Sequence, residues 1–162
     1  DRQQRKQWRG PVMAEFAAKV VASARSWIGT PYHDQASIKG VGADCLGLAR
    51  GIWREVVGPE PLDVPPYTRD WGETRADAVL ALGALDWLVQ EPIAGAGRGS
   101  VVLFRMVPNA IAKHVGILTG EGTFVHAYFG LGVIEEEVTR AWQRRLAFSF
   151  QFPEPGENQK EP

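Results

Sequence analysis

Few residues in this chain can do nucleophilic chemistry: one cysteine, Cys45, and three histidines, His33, His114 and His126. Cys45 follows Asp44 at the head of a stretch with helical spacing, so Asp44 is expected as an N-cap and Cys45 at a helix start. Unpaired backbone N–H groups and the helix dipole favour a thiolate at such a position, and the same groups can hold an oxyanion. A lone cysteine is as often a buried filler of core space. Position alone leaves the two readings level.

The histidines move the balance. His114 opens one predicted strand and His126 lies in the next, across Gly120-Glu121-Gly122. A three-residue turn sets His126 opposite Gly116, so both imidazoles leave the same face as diagonal neighbours, about 7–8 Å apart at Cα. A two-residue turn sends them to opposite faces. One imidazole beside a thiol forms an acid–base pair, and a second can fix the first one's tautomer and ring orientation. His33 sits in a turn-rich segment and reads as a loop residue.

The elements that must position these groups follow from period and punctuation. Pro11 opens a helix with Val12, Phe16, Val20, Ala24 and Trp27 on one face, closed by Gly29. A turn-rich stretch runs from Thr30 to Ala43, then a second helix from Cys45 to Val57 with Gly58 beyond its end. Four prolines make Pro59 to Gly72 an extended loop, and a third helix is expected from Thr74 to Gln90. After Gly95-Ala-Gly-Arg-Gly99, which precedes a strand and so reads as a turn rather than a phosphate loop, the period becomes that of strands. These are Ser100–Arg105, His114–Thr119, Thr123–Tyr128, Val133–Glu136 and Leu146–Phe152. Helices first and an antiparallel sheet second predict an α+β fold.

Composition bounds the rest. At 162 residues, 44% hydrophobic and 23% charged, the chain is the size and make-up of one globular domain, able to bury about 70% of its unfolded surface. No apolar run approaches the ~20 residues of a membrane span. A net charge of −1 gives no electrostatic footprint for nucleic acid, and one cysteine cannot close an internal disulfide. Residues 1–10 read as a basic arm without an apolar stretch behind it, so no signal peptide is expected. The sequence begins at Asp1, which reads as a chain trimmed, processed or extended upstream of Met13. Residues 11–152 read as the single domain and 153–162 as a polar flexible tail.

Five segments together resemble one family: Trp27-Ile-Gly-Thr-Pro-Tyr32, Ala43-Asp-Cys-Leu-Gly-Leu48, Val101-Val-Leu-Phe104, His114-Val-Gly-Ile117 and Phe124-Val-His-Ala127. In order and spacing they are similar to the NlpC-type cell-wall cysteine endopeptidases, whose domain is papain-like, over about Phe16 to Phe152. The resemblance implies Cys45 as nucleophile, His114 as base and His126 as the orienting third member. It places Tyr32 and Asp44 on the substrate-binding or oxyanion side, Tyr32 as a cleft wall or donor. It also implies the substrate, the stem peptide of peptidoglycan, often at a D-glutamyl–diaminopimelate bond.

The longer string from Asp44 to Glu55 looks most like the tail peptidases of phages and gene transfer agents, as does Leu46 in place of the family's usual Ser. That branch implies other tail or baseplate proteins as partners, assembly in the cytoplasm, and action on the target cell wall from a particle tail. His33-Asp34-Gln35 replaces the family's Trp-Gly-Gly, which reshapes the groove, and Ser100 replaces its usual Asp. Two other readings stand beside this one. The domain can serve as a structural baseplate part with tryptophans such as Trp8, Trp53, Trp71, Trp87 and Trp142 as interface anchors. Cys45, His114 and His126 are also acceptable zinc ligands. Helix-start placement and the resemblance account for the cysteine without metal, so no cofactor is expected.

Overall fold

The computed structural model describes residues 11–61, 87–108, 112–120 and 122–155. Helix α1 (Pro11–Ser26) is followed by a two-stranded hairpin, β1 (Ser37–Ile38) and β2 (Gly42–Ala43), and by helix α2 (Cys45–Val56). Strand β3 (Val89–Glu91) and a 3-10 turn (Ile93–Gly95) lead into β4 (Ser100–Phe104), β5 (His114–Gly120), β6 (Thr123–Tyr128) and β7 (Gly132–Glu137). A short helix α3 (Arg140–Arg145) precedes β8 (Leu146–Gln151). The six-stranded sheet is antiparallel throughout, in the order β3-β8-β4-β5-β6-β7. The fold is α+β, as the change of period predicts.

Both faces of this sheet are covered, so its central strands are buried along most of their length rather than at alternate positions. All five residues of β4 are buried. Val101, Leu103, Val115, Ile117, Val125, Ala127, Val133 and Phe150 form one core with Val20, Ala24 and Trp27 at α1 and Leu48 and Ile52 of α2. Val102, Phe104 and Phe124 form a second core on the other face, closed by Trp142 from α3. Each fully buried large side chain here contributes about 1.5–3 kcal/mol. The two helices touch closely. A Cβ on Gly51 of α2 would stand 2.1 Å from Trp27, so only glycine allows this approach. Trp27 also donates its indole N–H to Glu55 at 3.1 Å, which ties the end of α1 to α2.

The register between β5 and β6 decides where the histidines point. Ile117 pairs with Val125 and Leu118 with Phe124, but the closing pair is Gly120 with Thr123. The turn is therefore tighter than the three residues expected from sequence. A bulge between Leu118 and Gly120 absorbs the difference, so the pairing that sets His126 opposite Gly116 survives.

Two further sequence expectations change, at Val89–Gln90 and at Pro153. Residues 74–86 of the expected third helix lie outside the described residues, as do most of the proline-rich loop and residues 1–10 and 156–162. Val89 and Gln90, expected at the helix end, are strand residues paired with Gln151 and Phe150. Pro153, assigned to the tail, is buried. Among the described residues no helix is long and apolar enough to cross a membrane.

Candidate active site

Asp44 sets the start of α2. Its Oδ1 accepts from the Gly47 N–H at 2.7 Å and its Oδ2 from the Gln35 N–H at 2.7 Å, an N-cap that also holds the preceding loop. The loop passes so close that a Cβ on Gly47 would lie 1.8 Å from the Ala36 carbonyl. With both carboxylate oxygens bonded to backbone, Asp44 holds the helix start. It is not among the residues lining the cleft described below.

Cys45 is the first residue of α2 and is buried against the start of β5. Its thiol donates to the Lys113 carbonyl, with Sγ 3.7 Å from the oxygen. The N–H groups of Val115, Leu46 and Cys45 face the sulfur and favour its charged form. Burial outweighs them, and the neighbouring Asp44 charge adds to it, so the thiol is pushed up to about 12. The thiolate expected from the helix start is therefore not the resting form. The position along a helix is written in the sequence, but the depth of the sulfur is not.

His114 and His126 face each other on the same side of the sheet, with His114 Nε2 2.7 Å from His126 Nδ1. Their rings are nearly perpendicular, at 83°. Burial pushes His114 down to about 3, helped by the adjacent His126, beside which a second positive charge is disfavoured, and by the Arg145 charge. Burial also holds His126 below its usual value, against the opposing pull of Glu136. The resting site thus pairs a neutral thiol with neutral imidazoles.

A cleft of about 190 Å³ brings the groups together, lined by Tyr32, Cys45, Met106, Lys113, His114, Ala127, Tyr128 and Phe129. Tyr32 stands edge-on to Phe129 at 5.6 Å. A larger cavity of about 320 Å³ lies between α1 and Phe152. It contains neither Cys45 nor a histidine, so the chemistry belongs to the smaller cleft. His33 does not line that cleft; its ring packs over Gly42. Among the described residues no three His, Cys, Asp or Glu side chains converge as a metal-holding group.

Sequence reasoning missed two neighbours of this site. Glu136 Oε2 lies 3.0 Å from His126 Nε2. The Trp142 indole N–H donates to Glu136 Oε1 at 2.9 Å, and its ring stacks on His114 at 5.6 Å and 28°. A thiol, a neutral imidazole within the same cleft and backbone donors at a helix start are the parts required for acyl transfer to sulfur.

The family model described as "NlpC/P60 family" matches residues 29–150. No curated protein matches the chain. Among solved structures, the NlpC/p60 domain of the peptidoglycan hydrolase SagA is similar with a TM-score of 0.58 and 23% identity, over 84% of this chain and 98% of that one. An NlpC/P60 family protein from Bacillus cereus gives 0.60 and 17%, over 84% of this chain and 40% of that one. The peptidoglycan hydrolase RipB from Mycobacterium tuberculosis gives 0.57 and 20%, over 85% and 65%. At these identities the likeness establishes the fold.

Proposed function

We propose, since the chain belongs to the NlpC/P60 family, that it is a cysteine peptidase opening amide bonds in the stem peptides of peptidoglycan. The observation that carries this reading is the placement of Cys45 and His114 in one cleft, with His126 bonded behind His114. Family membership, and the likeness to two structures of peptidoglycan hydrolases, support the substrate.

In this reading Cys45 Sγ attacks the amide carbonyl carbon while the thiol proton passes to His114. The transfer accompanies the attack, because burial disfavours a free thiolate. The backbone N–H groups at the start of α2 receive the charge that develops on the carbonyl oxygen, and Tyr32 walls the cleft beside them. The imidazolium of His114 then gives its proton to the leaving amine as the C–N bond breaks, leaving a thioester. Water loses a proton to His114 and attacks the thioester, the C–S bond breaks, and the thiol regains its proton as the acid leaves. His126 holds the His114 ring in line through both halves.

The finer placement, in the tail of a phage-like or gene transfer particle, rests on the string from Asp44 to Glu55 and on Leu46. It gives the enzyme the task of opening a local hole in the wall for DNA delivery, with other tail proteins as partners. Digestion of purified peptidoglycan by the chain, followed by mass analysis of the released peptides, tests the activity. A new amine and a new carboxyl at one stem-peptide bond are expected, and intact stem peptides would refute it.

A further inference from the structure

The hydrogen-bonded chain behind His114 continues past His126 to β7. A carboxylate accepts hydrogen bonds and cannot donate them, so the 3.0 Å contact of Glu136 Oε2 with His126 Nε2 requires the His126 proton on Nε2. His126 is held neutral by burial, so its Nδ1 then carries a lone pair. The 2.7 Å contact between that Nδ1 and His114 Nε2 must be donated by His114. His114 is neutral too, and its one proton is spent on Nε2. Its Nδ1 is left as the nitrogen that can take a proton.

We propose that Glu136, clamped by Trp142, is the positioning residue that fixes the tautomers of both histidines and so presents an unprotonated His114 Nδ1 for the thiol proton. The assignment rests on the reading of Cys45 and His114 as nucleophile and base. Geometry closes the arrangement at both ends. Trp142 donates to Glu136 Oε1, so each carboxylate oxygen has its own donor and the group is held in one orientation. The same Trp142 ring lies on His114, so one side chain fixes the base and the carboxylate together. Thr139 caps α3 and accepts from the Trp142 backbone N–H, which sets that residue in place. When His114 becomes an imidazolium, its charge lies two hydrogen bonds from an anion rather than facing an apolar core. His126 is fully buried, so no solvent substitutes for that route.

Imidazole nitrogen–proton correlation spectra of the nitrogen-15-labelled chain read the tautomers directly, without substrate. Nε2–H forms of both His114 and His126 are expected in the wild type; an Nδ1–H form of either overturns the proposal. Glu136→Ala should give mixed tautomers at His126 and lower kcat about 10- to 100-fold with KM nearly unchanged, the scale seen when the orienting partner of a metal-bound histidine is lost. Glu136→Gln keeps an accepting oxygen without the charge and should fall between the two. Wild-type tautomers and wild-type kcat in folded Glu136→Ala would reduce Glu136 to a structural contact. If Glu136→Ala does not fold, the wild-type spectrum and Glu136→Gln decide the matter. Correct tautomers in a chain that cleaves no peptidoglycan would instead refute the proposed activity while leaving the relay intact.

Discussion

In the proposed mechanism the proton on Cys45 leaves a buried sulfur, and His114 is oriented to receive it. With the tautomers proposed above, His126 supplies that orientation through its 2.7 Å contact with His114 Nε2. An asparagine at position 126 offers a carbonyl oxygen for the same bond, whereas alanine leaves a buried N–H without a partner. Turnover corrected for folded fraction should therefore fall in the order wild type, His126→Asn, His126→Ala. The alanine variant should lose roughly 10²- to 10⁴-fold, the upper figure being the cost of a wrong imidazole tautomer in a serine triad. Equal rates for wild type and His126→Ala would leave a Cys45–His114 pair without a third member. At this scale the sequence was informative about scarce residue types: one cysteine before a helix and two histidines across a short hairpin carry their own signal. Glu136 does not. It sits in the run Glu135-Glu136-Glu137, which reads as a solvated strand end until the β6–β7 register, Phe124 with Glu136 and His126 with Ile134, sets it diagonal to His126.

Two elements bring Cys45 and His114 together, α2 and the β5–β6 hairpin. The N-cap of α2 is the more exposed to single changes, because Asp44 satisfies both a helical N–H and that of Gln35. Gln35 has a positive φ of 63°, a strained conformation for a residue with a Cβ that this bond helps to hold. Asp44→Ala should lower unfolding free energy by about 1–2 kcal/mol, seen as a reduced urea midpoint. A change in KM at unaltered stability would instead put Asp44 in contact with substrate. Strand positions and α2 were legible because apolar runs and capping residues are local signals. Strand β3 was not, because three residues at a sheet edge are specified by their partner β8 rather than by themselves. Helix α3 escaped for a related reason: its six residues, Arg140 to Arg145, are mostly polar, and only the packing of Trp142 under the sheet gives it a purpose. The bulge in β5 shows that register can be right when the turn length is wrong.

The whole molecule carries its buried site as a pH dependence of stability. His114 and His126 are held neutral, below their ordinary value of 6.5, so below pH 6.5 the unfolded chain binds protons that the folded chain refuses. Stability should then be greatest above pH 6.5 and fall as pH drops toward 3, by up to about 1.4 kcal/mol per pH unit for each histidine. Burial raises Glu55, Glu60 and Glu135, but their hydrogen-bonded partners prevail and hold all three below 4.5. Their contribution is lost only below that pH, so the interval from 6.5 to 4.5 isolates the histidines. At the alkaline end the raised Cys45 thiol costs stability above pH 9, where the unfolded thiol ionises first. Urea midpoints measured across this range check the profile, and a flat curve between pH 6.5 and 4.5 would show that the histidines are not buried as described. The central claim is tested most directly by release of soluble peptides from purified peptidoglycan, comparing the wild-type chain with Cys45→Ala at equal folded concentration. Release by the wild type and none above background by the variant is the predicted result, and equal release by both would contradict the account.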